Sequence, residues 1–336
     1  MRKAFYFLAL ILCAYACGNS SADVTLTGGA SLFTHKYGTG ALNVSGYGTG
    51  LIETSIVDNN GTLELYFQVG SINDVRRATS TDDNVAVFTD TGKVLDLRLP
   101  NTLKVGGIYY SIGTITGVNG DLYLRTSSDG ITWANGNGNS PIMTQSADNN
   151  SIYYNLWNNG IVVIDNVWHI FVECAHNGTA QDGVGLGYSY ATMTDNNINF
   201  DTNRVSTQII TGGGHPHPVY IPERNAIFMP VQWIDPDSGA GYRYWELRGY
   251  TANASDNVGN SASWTRRSFG IAETNVHVSD PTFADLPAGK NSSSILMYGY
   301  AQNSVRVLYS DALALEIYDS FFSGPRIIGT LRGTTK

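Results

Sequence analysis

Through most of the chain, apolar and polar residues alternate with a period of two, in short runs closed by Gly, Asn or Asp. DLYLRTS (121–127) is one such run, and the alternation predicts a strand with one buried face. IYYSIGT (108–114) is a β-rich run bounded by glycines. Ser128-Asp129-Gly130 supplies turn chemistry after DLYLRTS: a carboxylate that accepts backbone N–H groups, and a glycine that tolerates positive φ. Trp133 follows as an apolar anchor.

This phrase recurs. The first copy runs from Leu51 through LIETSIVD, the turn NNG, TLELYFQVG and VRRATSTDD. The second contains LDLRLPNTLKVGG, IYYSIGT and DLYLRTSSDGITW, and the third NNGIVVIDN, VWHIFVECAHNG and VGLGYSYATMTDNNINF. The fourth reads HPHPVYIPERN, AIFMPVQW, YRYWELRGYTA and ASW. The fifth reads SDPTFADLPAGKN, SSILMYGYA and SVRVLYSDALALEIYDSFF. Each copy passes from an inner strand through a Gly/Asn turn to an aromatic-rich strand and then a third strand. A spacing of about 45–60 residues is that of four-stranded propeller blades.

The pattern predicts an all-β protein, a single five-bladed β-propeller of four-stranded antiparallel blades over residues 23–336. A sandwich has no reason to repeat the phrase five times, and a parallel β-helix has a shorter rung. Closure into a ring removes the unpaired edges that an open array would leave. Part of Val24–Tyr47 is expected to complete the final blade, and Asp311–Tyr318 to make a short helical turn.

Composition narrows the ligand. Only 14% of residues are charged and the formal net charge is −8, with no basic run, which speaks against a nucleic-acid partner. A neutral, polyhydroxylated ligand suits a chain rich in Tyr and Trp. Residues 1–22 read as an export signal: Arg2-Lys3 precede the apolar run Ala4–Ala16, too short for an ordinary membrane span. Two processing sites compete. Ala14-Tyr15-Ala16 before Cys17 resembles a bacterial lipoprotein signal, in which a lipidated Cys17 would attach the protein to a membrane. Its Ala14 stands where such signals carry Leu. Cleavage near Ala22 would instead release a free protein. Either way the expected location is secreted or the bacterial cell envelope, as a monomer. With Cys13 lost, Cys17 and Cys174 cannot build a disulfide framework, and Cys174, at the end of an apolar strand, reads as a small buried hydrophobe.

The phrases VGGIYYSIGT…LYLRTSSDGITW, VWHIFVE…GLGYSYAT and SDPTFADL…SILMYGY resemble the five-bladed propeller glycosidases, the family 43 and family 32 group of arabinanases, xylosidases and fructosidases. SSDGITW is also similar to the Asp-box of sialidases, one residue shorter between Asp and Gly, and Asp129 then reads as a turn residue. The resemblance implies a carbohydrate substrate and a pocket at one end of the central channel. Three acidic residues from the first three blades would act there: a base or nucleophile, an Asp that adjusts the acid's pKa, and a Glu general acid. Hydrolysis needs one protonated and one ionised carboxyl facing each other across the bond.

Counting back from each aromatic strand gives the inner-strand candidates. The catalytic pool is Glu53 from blade I, Asp96 from blade II, Asp280 from blade V and Glu173 at the end of blade III's second strand. Blade III has no Glu on its inner strand, so the acidic triad departs from the family pattern. Arg98, Asn158, Trp157, His215, His217 and Trp233 are the substrate-binding candidates, with Arg98 either clamping a ligand carboxylate or pairing with Asp96 or Glu53. Trp168 and Trp245 are further aromatics, Trp168 fitting the core better. The chemistry requires no cofactor. The resemblance also places a structural calcium near a late-blade histidine, and His217 is the matching position; acid or hydrogen-bonding roles suit it as well.

Overall fold

The computed structural model describes residues 24–35, 41–70, 74–85, 87–115, 120–148, 150–175, 185–234, 245–273, 278–300 and 304–323. The proposed export signal and Cys17 lie outside them. Five sheets, antiparallel but for one added outer strand of blade I, follow one another around a central axis as the blades of a propeller. Their innermost strands are Leu51–Asn59, Arg98–Val105, Asn155–Ile164, a strand split into Gly213–Gly214 and Val219–Ile221, and Val278–Asp285. Blades II, III and V have four strands.

The N-terminal segment binds the ring together. Val24–Thr27 pairs with the outer strand Thr265–Glu273 of blade IV, and Phe33–Thr34 pairs with Ser310 and Tyr309 of blade V. Val44–Ser45 then lies parallel to the outer strand Phe88–Leu95 of blade I. The expected closure of the last blade is therefore present, and the same segment also adds an outer strand to blades I and IV.

Each of the five blade interfaces has its own apolar cluster. Leu63, Leu65 and Phe67 of blade I meet Ile295 and Met297 of blade V. Tyr66 meets Tyr109 between blades I and II, and Ile112 and Leu124 meet Ile170 and Val172 between II and III. Phe171 packs near Met229 and Val231 between III and IV, and Phe228 near Phe283 between IV and V. This follows from the period of two: every blade buries both faces, so alternate residues feed alternate interfaces. Charge inside these layers is paired. Glu64, fully buried, takes Arg77 at 2.6 Å and the Tyr66 hydroxyl at 2.8 Å, and Glu273 takes Arg306 and Tyr298.

One expectation shifts. The helix is Ala314–Ser323, a few residues later than anticipated. Its start is held from outside and from within: Asp285 of blade V accepts the Ala314 N–H at 2.8 Å, and the helix's own Glu316 accepts that of Leu313. Cys174 is fully buried, with its thiol pushed up to about 12 by burial, as a packed small hydrophobe should be. Asp129 is a turn residue, accepting the N–H groups of Ile131 and Thr132 at 2.8 and 2.7 Å and the Ser127 hydroxyl at 2.9 Å.

Candidate active site

All five inner strands are broken at the same level. The register slips after Ile52, Arg98, Leu156 and Ser279 in blades I, II, III and V, and blade IV is interrupted after Gly214. The first residue of four of these bulges has positive φ: Glu53 at 51°, Leu99 at 52°, His215 at 42° and Asp280 at 45°. Proline follows three of them, as Pro100, Pro216 and Pro281. Proline cannot donate to a ladder and is confined to such irregular positions inside a sheet. A bulge re-aims the side chain at its apex, and left-handed non-glycine residues gather at functional sites. Here the re-aimed residues converge on the channel.

The third residue of three of these breaks, in blades I, III and IV, stitches neighbouring blades. The Ser55 hydroxyl donates to Pro100 O at 3.3 Å, and Asn159 Nδ2 donates to Leu99 O and Ile112 O. The imidazole of His217 donates from Nε2 to Phe283 O at 2.8 Å. Burial depresses the His217 pKa to about 4, only partly offset by that carbonyl, so it is a neutral suture at neutral pH.

A cavity lined by all five inner strands results, with Glu53, Leu99, Asn158, His215 and Asp280 around it. Room for water centres amounts to about 20 Å³, enough for one or two waters. At its heart His215 stands between carboxylates. Its Nδ1 contacts Asp280 Oδ1 and lies 3.5 Å from Glu53 Oε2, while Nε2 lies 3.4 Å from Glu173 Oε2. Glu173 comes from the second strand of blade III, is 2% exposed, and accepts Asn158 Nδ2 and the His215 backbone N–H, both at 3.0 Å. Gly214 makes room for it: a Cβ there would stand 2.9 Å from that carboxylate.

The charges perturb one another. Burial, then the neighbouring Asp280, lifts Glu53 to about 7, against the opposing pull of His215. Burial pulls the His215 imidazole down, but Asp280, Glu53 and Glu173 outweigh it, and its pKa rises well above the ordinary value. The site therefore holds a carboxyl that is protonated near neutrality beside a cationic histidine, an acid and its electrostatic partner in one cavity.

Of the sequence candidates, Glu53, Glu173, Asp280, Asn158 and His215 come together, and His217 lines the same cavity. Asp96 does not: its side chain is 78% exposed and pairs with Lys93 at 2.6 Å. Arg98 pairs with Thr114 just before the bulge, lies outside the cavity lining, and forms no ion pair among the described residues with Asp96 or Glu53. Blade II instead presents Leu99, which the count back from the aromatic strand overshot by one residue. Trp157 occupies the corresponding place in blade III without joining the lining. Trp233 has the Arg248 guanidinium 3.1 Å over its ring, so that face is already covered. Trp168 is core, and the Trp245 side chain lies outside the described residues.

Among the described residues, the side chains grouped so that they could hold a cation are Glu53, His215 and Asp280, whose ligand atoms lie within 4.8 Å of one another. They supply two hard oxygens and a nitrogen, whereas calcium takes six to eight oxygens, so water or ligand would complete the shell. His217 belongs to no such group and has its Nε2 committed to Phe283.

Solved structures share this architecture. A thermostable family-43 glycoside hydrolase superposes with a TM-score of 0.56 at 11% identity, over 80% of this chain and 90% of that one. An α-L-arabinofuranosidase from Lactobacillus brevis gives 0.57 at 9%, over 78% and 90%, and an endo-arabinase from Bacteroides thetaiotaomicron 0.53 at 10%, over 81% and 97%. The chain has the fold of the five-bladed propeller glycoside hydrolases. No protein-family model matches it, and no curated protein does.

Proposed function

We propose that the protein is a glycoside hydrolase that cleaves an oligo- or polysaccharide at the mouth of the central cavity. The observation that carries this reading is a buried carboxyl, Glu53, lifted to about 7 with a second carboxylate within 4.8 Å. Glu53 is the general acid that protonates the leaving-group oxygen. Asp280, in contact with His215 Nδ1, faces it across the bond. So short a separation leaves little room for a water between the two groups, which fits Asp280 as nucleophile in a retaining mechanism. Glu173, which accepts the His215 backbone N–H and lies 3.4 Å from Nε2, fixes the other edge of His215. The resemblance of residues 1–22 to an export signal supports action outside the cytoplasm, with Cys17 as a lipid anchor or with free release.

A second reading, a carbohydrate-binding propeller without hydrolysis, is favoured by one feature. Blades II and III present Leu99 and Trp157 where an acidic triad would need carboxylates, and the cavity itself is too small for a sugar ring. Sugar release from arabinan, xylan, fructan and algal oligosaccharides separates the two. Hydrolysis by the wild type that is lost in Glu53→Gln and Asp280→Asn supports the enzyme; glycan binding with no release in any of the three supports the binder.

A further inference from the structure

A second hollow, of about 310 Å³, lies far from the axis on the outer strands of blade IV. It is within reach of the about 300–1,000 Å³ typical of small-ligand sites. Its lining includes Gly270, Ala272 and the hydroxyls of Thr25, Thr27 and Ser268, together with Phe269 and Ile271. Three arginines, Arg248, Arg266 and Arg267, and one carboxylate, Glu246, rim it. In a chain with 28 acidic residues against 20 Lys and Arg, this local excess of cations runs against the average.

The guanidiniums are held rather than loose. Arg248 lies 3.1 Å over the Trp233 ring, is 15% exposed, and gives its Nε to Glu246. Arg267 donates Nε to the Thr251 hydroxyl at 2.6 Å and covers the Phe322 ring. Arg266, 58% exposed, reaches only 3.9 Å from the same Glu246 oxygen. One carboxylate thus serves two arginines, and a positive surplus faces the hollow. Packing alone would explain Arg267 and the Arg248–Trp233 stack; it does not explain Arg266 directed at the same single acid beside a lining that carries three hydroxyls.

We propose that this hollow is a binding site for an acidic sugar, with the arginines taking a carboxylate or sulfate ester and the lining hydroxyls taking ring hydroxyls. A fixed, planar guanidinium suits either oxyanion through paired N–H donors. The sugar part of the assignment rests on the carbohydrate reading above; the anion part does not. The site sits on strands that contribute nothing to the central cavity, so it binds glycan independently of cleavage.

Titration calorimetry on the full chain tests this with three probes of equal length: an oligogalacturonate, a sulfated galacto-oligosaccharide and a neutral xylo-oligosaccharide. Acidic probes should bind at least about tenfold more tightly than the neutral one, and added salt should erode the difference. Arg266→Ala, at an exposed position that leaves the fold intact, and Arg248→Gln should each weaken acidic binding severalfold. Glu53→Gln should leave it unchanged. The tighter acidic probe identifies the anion as carboxylate or sulfate. Equal affinity for neutral and acidic probes, or loss of acidic binding in Glu53→Gln but not in Arg266→Ala, would overturn the proposal. Acidic binding that persists in a protein releasing no sugar from any substrate would sink the hydrolase reading and leave this site standing.

Discussion

Glu53→Gln gives a test of the central site that needs no knowledge of the substrate. A carboxyl whose folded pKa lies above its unfolded value stabilises the fold fully below the unfolded value, and that contribution is lost as pH rises through the folded one. For Glu53 the window runs from 4.5 to about 7, a difference worth about 3 kcal/mol at about 1.4 kcal/mol per unit. The side chain is only 14% exposed, so solvent screening removes little of this. Glutamine mimics the protonated acid. The variant should therefore match the wild type near pH 4 and exceed it near pH 8.5, by on the order of 5 °C in melting temperature for a protein of this size. His215 loses its own contribution in the same direction as pH rises, but Asp280 stays beside it in both proteins, so the difference between them reports Glu53. Differential scanning calorimetry at the two pH values reads the effect. A variant no more stable than the wild type at pH 8.5 would refute the view that burial and Asp280 hold Glu53 protonated.

Three further outcomes follow from the same geometry. Gly214→Ala drives a methyl group into the Glu173 carboxylate, so sugar release should fall about 100-fold while the melting temperature changes little; retained activity would show that Glu173 does not position His215. His217→Ala leaves the Phe283 carbonyl unpaired and should cost about 1–3 kcal/mol in urea unfolding, with part recovered by His217→Gln. Asp129 is held down to about 2, first by the backbone N–H groups of Thr132 and Ile131, so its contribution is present above the ordinary 3.8 and lost as pH falls toward 2. Asp129→Ala should accordingly lower the melting temperature at neutral pH and flatten its acid dependence without affecting glycan binding.

The ring was legible because its signal is local and repeated: two-residue alternation, glycine turns and an aromatic second strand appear in every blade. The site was partly legible for a different reason. Glu53, His215 and Asp280 stand at bulges that open an inner strand, and for two of them a following proline marks the irregularity in the letters themselves. Blade II carries the same mark at Leu99-Pro100, but a search for titratable residues passes over a leucine and settles on its neighbours Asp96 and Arg98. One residue decides direction in a strand, so a miss of this size moves a side chain from the channel to the surface. Glu173 was reachable only as the end of the second strand, because its route to the centre depends on Gly214 in the next blade. The covering of Trp233 by Arg248 depends on a cross-strand neighbour, and no spacing along the chain encodes it.

The N-terminal segment imposes an order of events in time. Blades I, II and III can assemble from residues close in sequence as the chain emerges. Blades IV and V cannot be finished that way, because each takes an outer strand from residues 24–34, made long before the strands that receive it. Those two strands must wait, unpaired, until the last blade exists, and two edges are then sealed nearly together. Such long-range pairing slows folding, since the loop must close before its contacts reward it. It also makes the finished ring hard to open one blade at a time. Freeing a single outer strand strains the two beside it, so this propeller should come apart as a whole or stay shut.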